Sequence, residues 1–147
     1  MLAHLALVMK GRRRTIDWIR FHQHLADIVQ RATGGVADLV ELIRSNLRSL
    51  QITEGFEVME REAEPALRLL DAQAVLCDFC FLDPPYQLSD EYEQALGFLS
   101  QSRLLKPESI IIAEHDKRFD PGDKFGALER YRVLRQGDAA LSFYRLK

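Results

Sequence analysis

The chain of 147 residues has the length of one domain, long enough to bury a sizeable core but short for a complete α/β enzyme. A composition of 47% hydrophobic and 29% charged residues is ordinary for a globular protein and indicates neither disorder nor a membrane protein. The net charge of −2 argues against a protein that coats nucleic acid, but it permits a local basic patch.

The amino-terminal residues predict a short strand followed by a basic turn. Leu5–Met9 is an apolar run whose length favours a buried strand and is too short to cross a bilayer. Positive charges follow this run instead of preceding it, so it does not have the pattern of a targeting signal. These charges can contact the phosphates of a nucleic acid or simply form a solvated turn. They belong to Lys10, Arg12, Arg13 and Arg14.

Helices and strands then alternate along the chain. Apolar residues at helical spacing predict helices over 16–32 and 36–50, and a brief strand over 56–59 precedes a helix over 63–70. The run 75–82 is apolar at seven of eight positions, which predicts a strand covered on both faces.

The carboxyl-terminal half predicts a helix, a strand and a hairpin. A helix over 90–101 has four inward residues, and a buried strand over 110–113 ends at the polar sequence 114–116. Segments 129–135 and 140–146 alternate like the strands of a hairpin, with Gly137-Asp138 as the turn between them. Strands that alternate with helices before a terminal hairpin predict a three-layer α/β sheet whose last strand is antiparallel. The four inward residues are Tyr92, Ala95, Leu96 and Leu99.

The two cysteines predict neither a disulfide framework nor a metal site. Cys77 and Cys80 lie three apart in the predicted strand and therefore point to opposite faces. No second pair follows to complete a zinc site, so core packing is the expectation and metal binding is not. We expect a reduced, cytoplasmic protein.

Asp83-Pro84-Pro85-Tyr86 follows the predicted strand at the end where open α/β sheets bind ligands. The lone pair of a base's exocyclic amine is delocalised into the ring, so the amine is a poor nucleophile. The Asp83 carboxylate and Pro84 carbonyl can grip its hydrogens and aim the lone pair at a sulfonium methyl group, in a loop that proline keeps rigid. Tyr86 offers a face for an extruded base. The alternative is a structural Pro-Pro turn with a solvated aspartate and a packed tyrosine.

Three segments resemble the bacterial ribosomal RNA guanine-N2 methyltransferases of the RsmD type. Residues 77–86 resemble that family's "FDLVFLDPPY", 112–116 its "VVEHD" and 137–145 its terminal "GDTALSFYR". Together with similarity over 40–47 and 56–70, the resemblance covers about 36–147. It implies an α/β fold: a Rossmann-like methyltransferase sheet with helices on both faces and a C-terminal antiparallel hairpin, incomplete at the N-terminus. We therefore expect a single methyltransferase-like domain, divergent over 1–35.

The resemblance also implies a cofactor, a substrate and site residues. The cofactor is S-adenosylmethionine, which Asp83 and Glu62 would contact, and the substrate is a guanine amine in small-subunit ribosomal RNA, held by Asp83, Pro84, Pro85 and Tyr86. Glu62 replaces the family's usual aspartate beside the adenine, and a solvated helix-start carboxylate is its alternative. For the polar sequence 114–116 we favour a structural role.

Residues 1–35 lack the family's glycine-rich turn, which approaches the cofactor, and the acidic residue that binds its ribose. The strand over 75–82 would then have a bare edge, prone to association. Leu5–Met9 can fill the vacant place beside it, or a second copy of the chain can cover it in a homo-oligomer. The sequence leaves open an active RNA methyltransferase, an inactive remnant with residual RNA binding, or a methyltransferase of DNA adenine or protein glutamine.

Overall fold

The computed structural model describes residues 5–9, 36–54, 56–60, 63–84 and 88–147. The chain forms two compact units, which meet in sequence between Glu62 and Ala63. Each unit has its own sheet, and the two sheets have two and five strands.

The first unit contains an antiparallel strand pair and one helix. Strand β1 (Leu5–Met9) pairs with β2 (Phe56–Glu60), and helix α1 (Val36–Ser49) lies between them in sequence. Ile43 and Leu47, on the predicted apolar stripe of α1, are buried. The predicted strands and the second helix are therefore confirmed, whereas the helix predicted over 16–32 lies outside the described residues.

The pairing of β1 corrects one expectation. Its residues run antiparallel to β2, with Leu5 opposite Glu60 and Met9 opposite Phe56. The hypothesis that Leu5–Met9 fills the place beside the strand ending at Leu82 is therefore wrong. Its sequence predicts a strand but carries no information about which edge that strand joins, because any short apolar strand can pair with any exposed edge.

The second unit is a five-stranded mixed sheet with two helices. In chain order the elements are α2 (Ala63–Ala72), β3 (Cys77–Leu82), α3 (Ser89–Leu99), β4 (Leu105–Asp116), β5 (Lys124–Phe125), β6 (Leu128–Gln136) and β7 (Ala139–Leu146). The strand order is β3-β4-β7-β6-β5; β3 runs parallel to β4, and the remaining neighbours are antiparallel. The mixed α/β class and the antiparallel terminal hairpin are confirmed.

The core of this unit lies between the helices and one face of the sheet. The four inward residues predicted for α3 are all buried, as are alternate residues of β4 and β7. Burial at every second position is the pattern of a strand with one covered face. The buried residues of β4 and β7 include Ile111, Ala113, Ala140 and Tyr144.

The expectation that β3 is covered on both faces is wrong. The Phe79 side chain is 61% exposed, and the burial pattern along β3 is mixed. Among the described residues β3 has one hydrogen-bonded neighbour strand, β4. An apolar run predicts the strand correctly, but its cover depends on segments elsewhere in the chain. Coverage of this edge by a second copy stays a prediction.

The hairpin of β6 and β7 contains an irregularity that the sequence did not reveal. Gly137 in its turn has a φ of 63°, a conformation that glycine adopts without strain. Along β6, the register with β7 shifts between Arg130 and Arg132. Such a β-bulge changes the face to which the following side chains point.

In the part of the chain that the structure describes, no helix has the length and apolar character needed to cross a membrane.

Candidate active site

Asp83 lies at the carboxyl end of β3, at the rim of the mixed sheet. Strand β3 pairs in parallel with β4, and Leu82 is the register partner of Ala113. The next residues, Asp83 and Glu114, therefore lie at the same rim of the sheet. The Asp83 side chain is exposed, and Pro84 is half-buried. The carboxylate is thus accessible from solvent, as binding of a nucleobase at this position would require.

Tyr92 anchors helix α3 to this rim. Its hydroxyl donates a hydrogen bond of 2.6 Å to the backbone oxygen of Glu114, and its side chain is buried. The loop that carries Asp83 leads from β3 into α3, so one end of the loop is held by the sheet and the other by this helix. Tyr92 therefore fixes where the loop returns to the core.

His115 belongs to a buried hydrogen-bond network. Its Nδ1 lies 2.9 Å from the backbone oxygen of Asp116, and its Nε2 lies 2.9 Å from the Ser142 hydroxyl. Because a carbonyl only accepts, Nδ1 must carry a proton. Arg130 donates to the same hydroxyl at 3.3 Å, so the Ser142 proton is available to Nε2. These contacts join β4 to β7 and indicate the structural role that we favoured.

Asp116 is also engaged within the protein. Its Oδ1 accepts hydrogen bonds from the Arg118 backbone N–H at 2.8 Å and from Nε of the same residue at 3.0 Å. The guanidinium bonds lower the pKa of Asp116 most, and the backbone bond lowers it further. A carboxylate held in this way stays ionised and is a poor general base.

Arg130 ties the segment between β4 and β5 to the hairpin. It donates a hydrogen bond of 2.7 Å to Asp120 and pairs with Asp123, and these partners raise its pKa despite partial burial. A depression of about 100 Å³ lies beside it. That volume is well below the roughly 300 Å³ of small ligand pockets, and Asp83 does not line it. We therefore do not regard it as the cofactor site.

Several predicted site residues lie outside the described residues, and their roles stay predictions. They are Lys10, Arg12, Arg13, Arg14, Glu62, Pro85 and Tyr86. Among the residues that are described, no three His, Cys, Asp or Glu side chains are grouped as metal ligands would be. Cys77 and Cys80 are both free thiols.

Sequence reasoning did not single out a cluster of arginine and aromatic side chains on the β6–β7 hairpin. Arg132 lies over the Phe143 ring, and Arg145 lies over the Tyr131 ring, at 5.3 and 4.9 Å from the ring centroids. The adjacent basic and aromatic residues in β6 were a signal of this cluster. The bulge that brings them to one face was not visible in the sequence.

Known proteins resemble the chain in sequence and in structure. Residues 36–145 match the family model described as "Conserved hypothetical protein 95". Over 106 residues the chain is 26% identical to "Putative rRNA methyltransferase YlbH" of Bacillus subtilis (strain 168), covering 72% of this chain and 57% of that protein. The chain thus spans little more than half the length of this relative.

Two solved structures share the fold. A conserved hypothetical protein of Streptococcus pyogenes superposes with a TM-score of 0.61 at 21% identity, covering 75% of this chain and 66% of that one. "Putative methyltransferase yhhF" from Escherichia coli gives 0.60 at 20% identity, covering 75% and 59%. At these identities, the likeness establishes the fold and leaves the chemistry to the residues of the site.

Proposed function

Because the chain belongs to the Conserved hypothetical protein 95 family, which is of the RsmD type, we propose that it functions in S-adenosylmethionine-dependent methylation of RNA. The target proposed is the exocyclic N2 amine of a guanine in small-subunit ribosomal RNA. The observation that carries the proposal is the exposed Asp83 carboxylate at the carboxyl end of β3, beside the last residues of β4. Ligands bind at this end of the strands in open α/β sheets.

Asp83 and Pro84 would orient the amine. The carboxylate and the Pro84 carbonyl each accept one N–H, which directs the nitrogen lone pair away from the ring plane. Since proline stiffens this loop, both acceptors keep their positions without reorganisation during the reaction. Pro85 and Tyr86 complete the loop, and the Tyr86 ring would stack on the extruded base. Orientation, more than proton transfer, would supply most of the rate.

The chemistry of the described rim fits a cofactor with a positive sulfonium, because an exposed carboxylate attracts that charge. S-adenosylmethionine would supply the methyl group, with Asp83 and Glu62 as the residues that hold it. Transfer makes one N–C bond and breaks one C–S bond, and the amine then releases a proton to water. Asp83 needs only to accept a hydrogen bond throughout.

A second proposal is an inactive remnant that keeps the substrate half of the site. Two observations favour it: the sequence has no glycine-rich cofactor turn, and β3 has a single strand neighbour among the described residues. In a complete sheet of this kind, the glycine turn follows the strand beside β3. The two proposals agree about RNA and differ about cofactor binding.

Isothermal titration of the full chain with S-adenosylmethionine separates them. Binding heat supports the enzyme, and no heat at millimolar cofactor supports the remnant. With a radiolabelled methyl group and small-subunit ribosomal RNA, Asp83→Ala should abolish transfer but lower cofactor affinity far less, because Glu62 is the other residue proposed to hold the cofactor. Asp78→Ala is the matched control, because Asp78 is an exposed aspartate on β3, the strand that Asp83 follows. Equal loss of transfer in both variants would contradict the role of Asp83.

A further inference from the structure

In the second unit, all but three of the described lysines and arginines form an ion pair with a carboxylate. The three exceptions are Arg132, Arg135 and Arg145, which all lie on the β6–β7 hairpin. Glu129, the cross-strand neighbour of Arg145, is engaged by lysines instead. The paired residues are Arg68, Arg103, Lys106, Lys117, Arg118, Lys124, Arg130 and Lys147.

Two of these unpaired arginines stack on aromatic rings of the same hairpin. Arg145 lies 4.9 Å from the centroid of the Tyr131 ring, and Arg132 lies 5.3 Å from that of Phe143. The two rings are 6.3 Å apart. We call Tyr131, Arg132, Phe143 and Arg145 the arginine–aromatic face. The two rings lie side by side, and one guanidinium lies over each of them.

The β-bulge is what assembles this face. In a regular strand, Tyr131 and Arg132 would point to opposite sides of the sheet. Here both contact Phe143, because the register shifts between Arg130 and Arg132. Arg130 reaches Ser142 on the other side. Bulges are known to redirect side chains at functional positions.

The arginine–aromatic face is open to solvent. Tyr131 is 43% exposed, and Arg132 and Arg145 are both exposed. No carboxylate among the described residues lies at ion-pair distance from either guanidinium of the face. A partner that carries both negative charge and planar rings would neutralise these two charges and stack on the face.

We propose that the arginine–aromatic face is a docking surface for a single-stranded segment of RNA. Its phosphates would pair with Arg132 and Arg145, and a base would stack on Tyr131. An anionic lipid surface offers the charge but no planar base, so it fits this face less well. The choice of RNA as the polyanion rests on the proposed function.

The position of the face suits an extended substrate. Strand β6 is three strands from β3, which corresponds to on the order of 14 Å at the usual strand spacing. A single strand held at the hairpin could therefore continue across the sheet toward Asp83. The face would contribute affinity and leave the chemistry to the rim.

Fluorescence anisotropy with a labelled oligouridine, measured over a range of salt concentrations, tests the proposal on the full chain. Each lost phosphate contact lowers the salt slope for single strands by about 0.7. The double variant Arg132→Gln/Arg145→Gln should therefore lower it by about 1.4 and weaken binding about tenfold or more. Arg68→Gln is the matched control, since Arg68 also stacks on a ring, that of Phe98, but is paired with Glu64.

Changes at Tyr131 test stacking separately. Tyr131→Ala should weaken binding by about tenfold, and Tyr131→Phe should bind like the original chain because the ring remains. If the double variant binds RNA as Arg68→Gln does, or if the face binds phosphatidylserine vesicles and not RNA, the proposal is overturned. Titration of the original chain with S-adenosylmethionine reports on the proposed function independently. If that chain binds no cofactor but binds RNA, and the double variant loses the RNA binding, methyl transfer is refuted and the role of the face is supported.

Discussion

Replacing Tyr92 by phenylalanine tests whether the rim of the sheet depends on one hydrogen bond. The Tyr92 hydroxyl donates to the Glu114 backbone oxygen at 2.6 Å from a side chain that is 1% exposed. Removing the oxygen keeps the ring in the core but removes this hydrogen bond. A bond of this kind contributes about 1 kcal/mol net.

Urea unfolding measures this effect. With a slope of about 2 kcal/mol/M, a loss of 1 kcal/mol lowers the midpoint by about 0.5 M. Tyr131→Phe is the control, because it removes the same oxygen from a ring that is 43% exposed, and we expect no change there. If the two variants have the same midpoint, the Tyr92 bond does not stabilise the rim, and the reasoning about its anchoring role is refuted.

Three further predictions concern stability and reactivity. Ala74 has a φ of 53° after α2, so Ala74→Gly should raise the free energy of unfolding by up to about 1 kcal/mol in urea titrations; a loss would contradict the strain. The pKa of Asp116 is lowered in the folded protein, mainly by the Arg118 side chain. The pair therefore stabilises the protein fully at pH values above the ordinary aspartate pKa, and this contribution is lost as the pH falls toward the lower pKa of the folded state. Arg118→Gln should reduce that acid dependence, and an unchanged pH profile would refute it. Desolvation raises the pKa of the half-buried Cys80 thiol to about 12, so iodoacetamide at mildly alkaline pH should modify it much more slowly in the folded chain than in urea; equal rates, read by mass spectrometry, would contradict the raised pKa.

The sequence predicted most elements of the fold because hydrophobic periodicity reflects local burial. The stripe of α1 and the four inward residues of α3 follow directly from helical spacing. The hairpin turn was predicted from Gly137, which adopts the positive φ that such a turn requires. In these places neighbouring residues carry the information, so a single sequence is sufficient.

The errors concern relations between segments far apart in the chain. An apolar strand such as Leu5–Met9 predicts its own conformation but not its partner, and it pairs with β2. The exposure of Phe79 depends on what packs against β3, which its own sequence does not encode. The short strand β5 was missed because two residues give no measurable periodicity. Contacts of this kind become visible only in the folded chain.

The candidate site depended on resemblance more than on periodicity. The resemblance to the RsmD family is confirmed by the match over 36–145. Composition and spacing would have given only a rigid polar loop at Asp83, at the end of an apolar strand. The arginine–aromatic face had no family motif to mark it, and its geometry depends on a register shift that alternation rules do not predict.

That shift also constrains the permissible length of β6. Tyr131 is the extra residue of the bulge, because Arg130 pairs with Tyr144 and Arg132 with the adjacent Phe143. Deleting Tyr131 would restore regular alternation while Arg130 still faces Ser142 and Arg132 still faces Phe143, although the ring under Arg145 would be lost. A single-codon deletion between Arg132 and Gln136 would instead exchange the two sides of part of the strand. The hairpin should therefore tolerate loss of Tyr131 far better than loss of a residue in that segment.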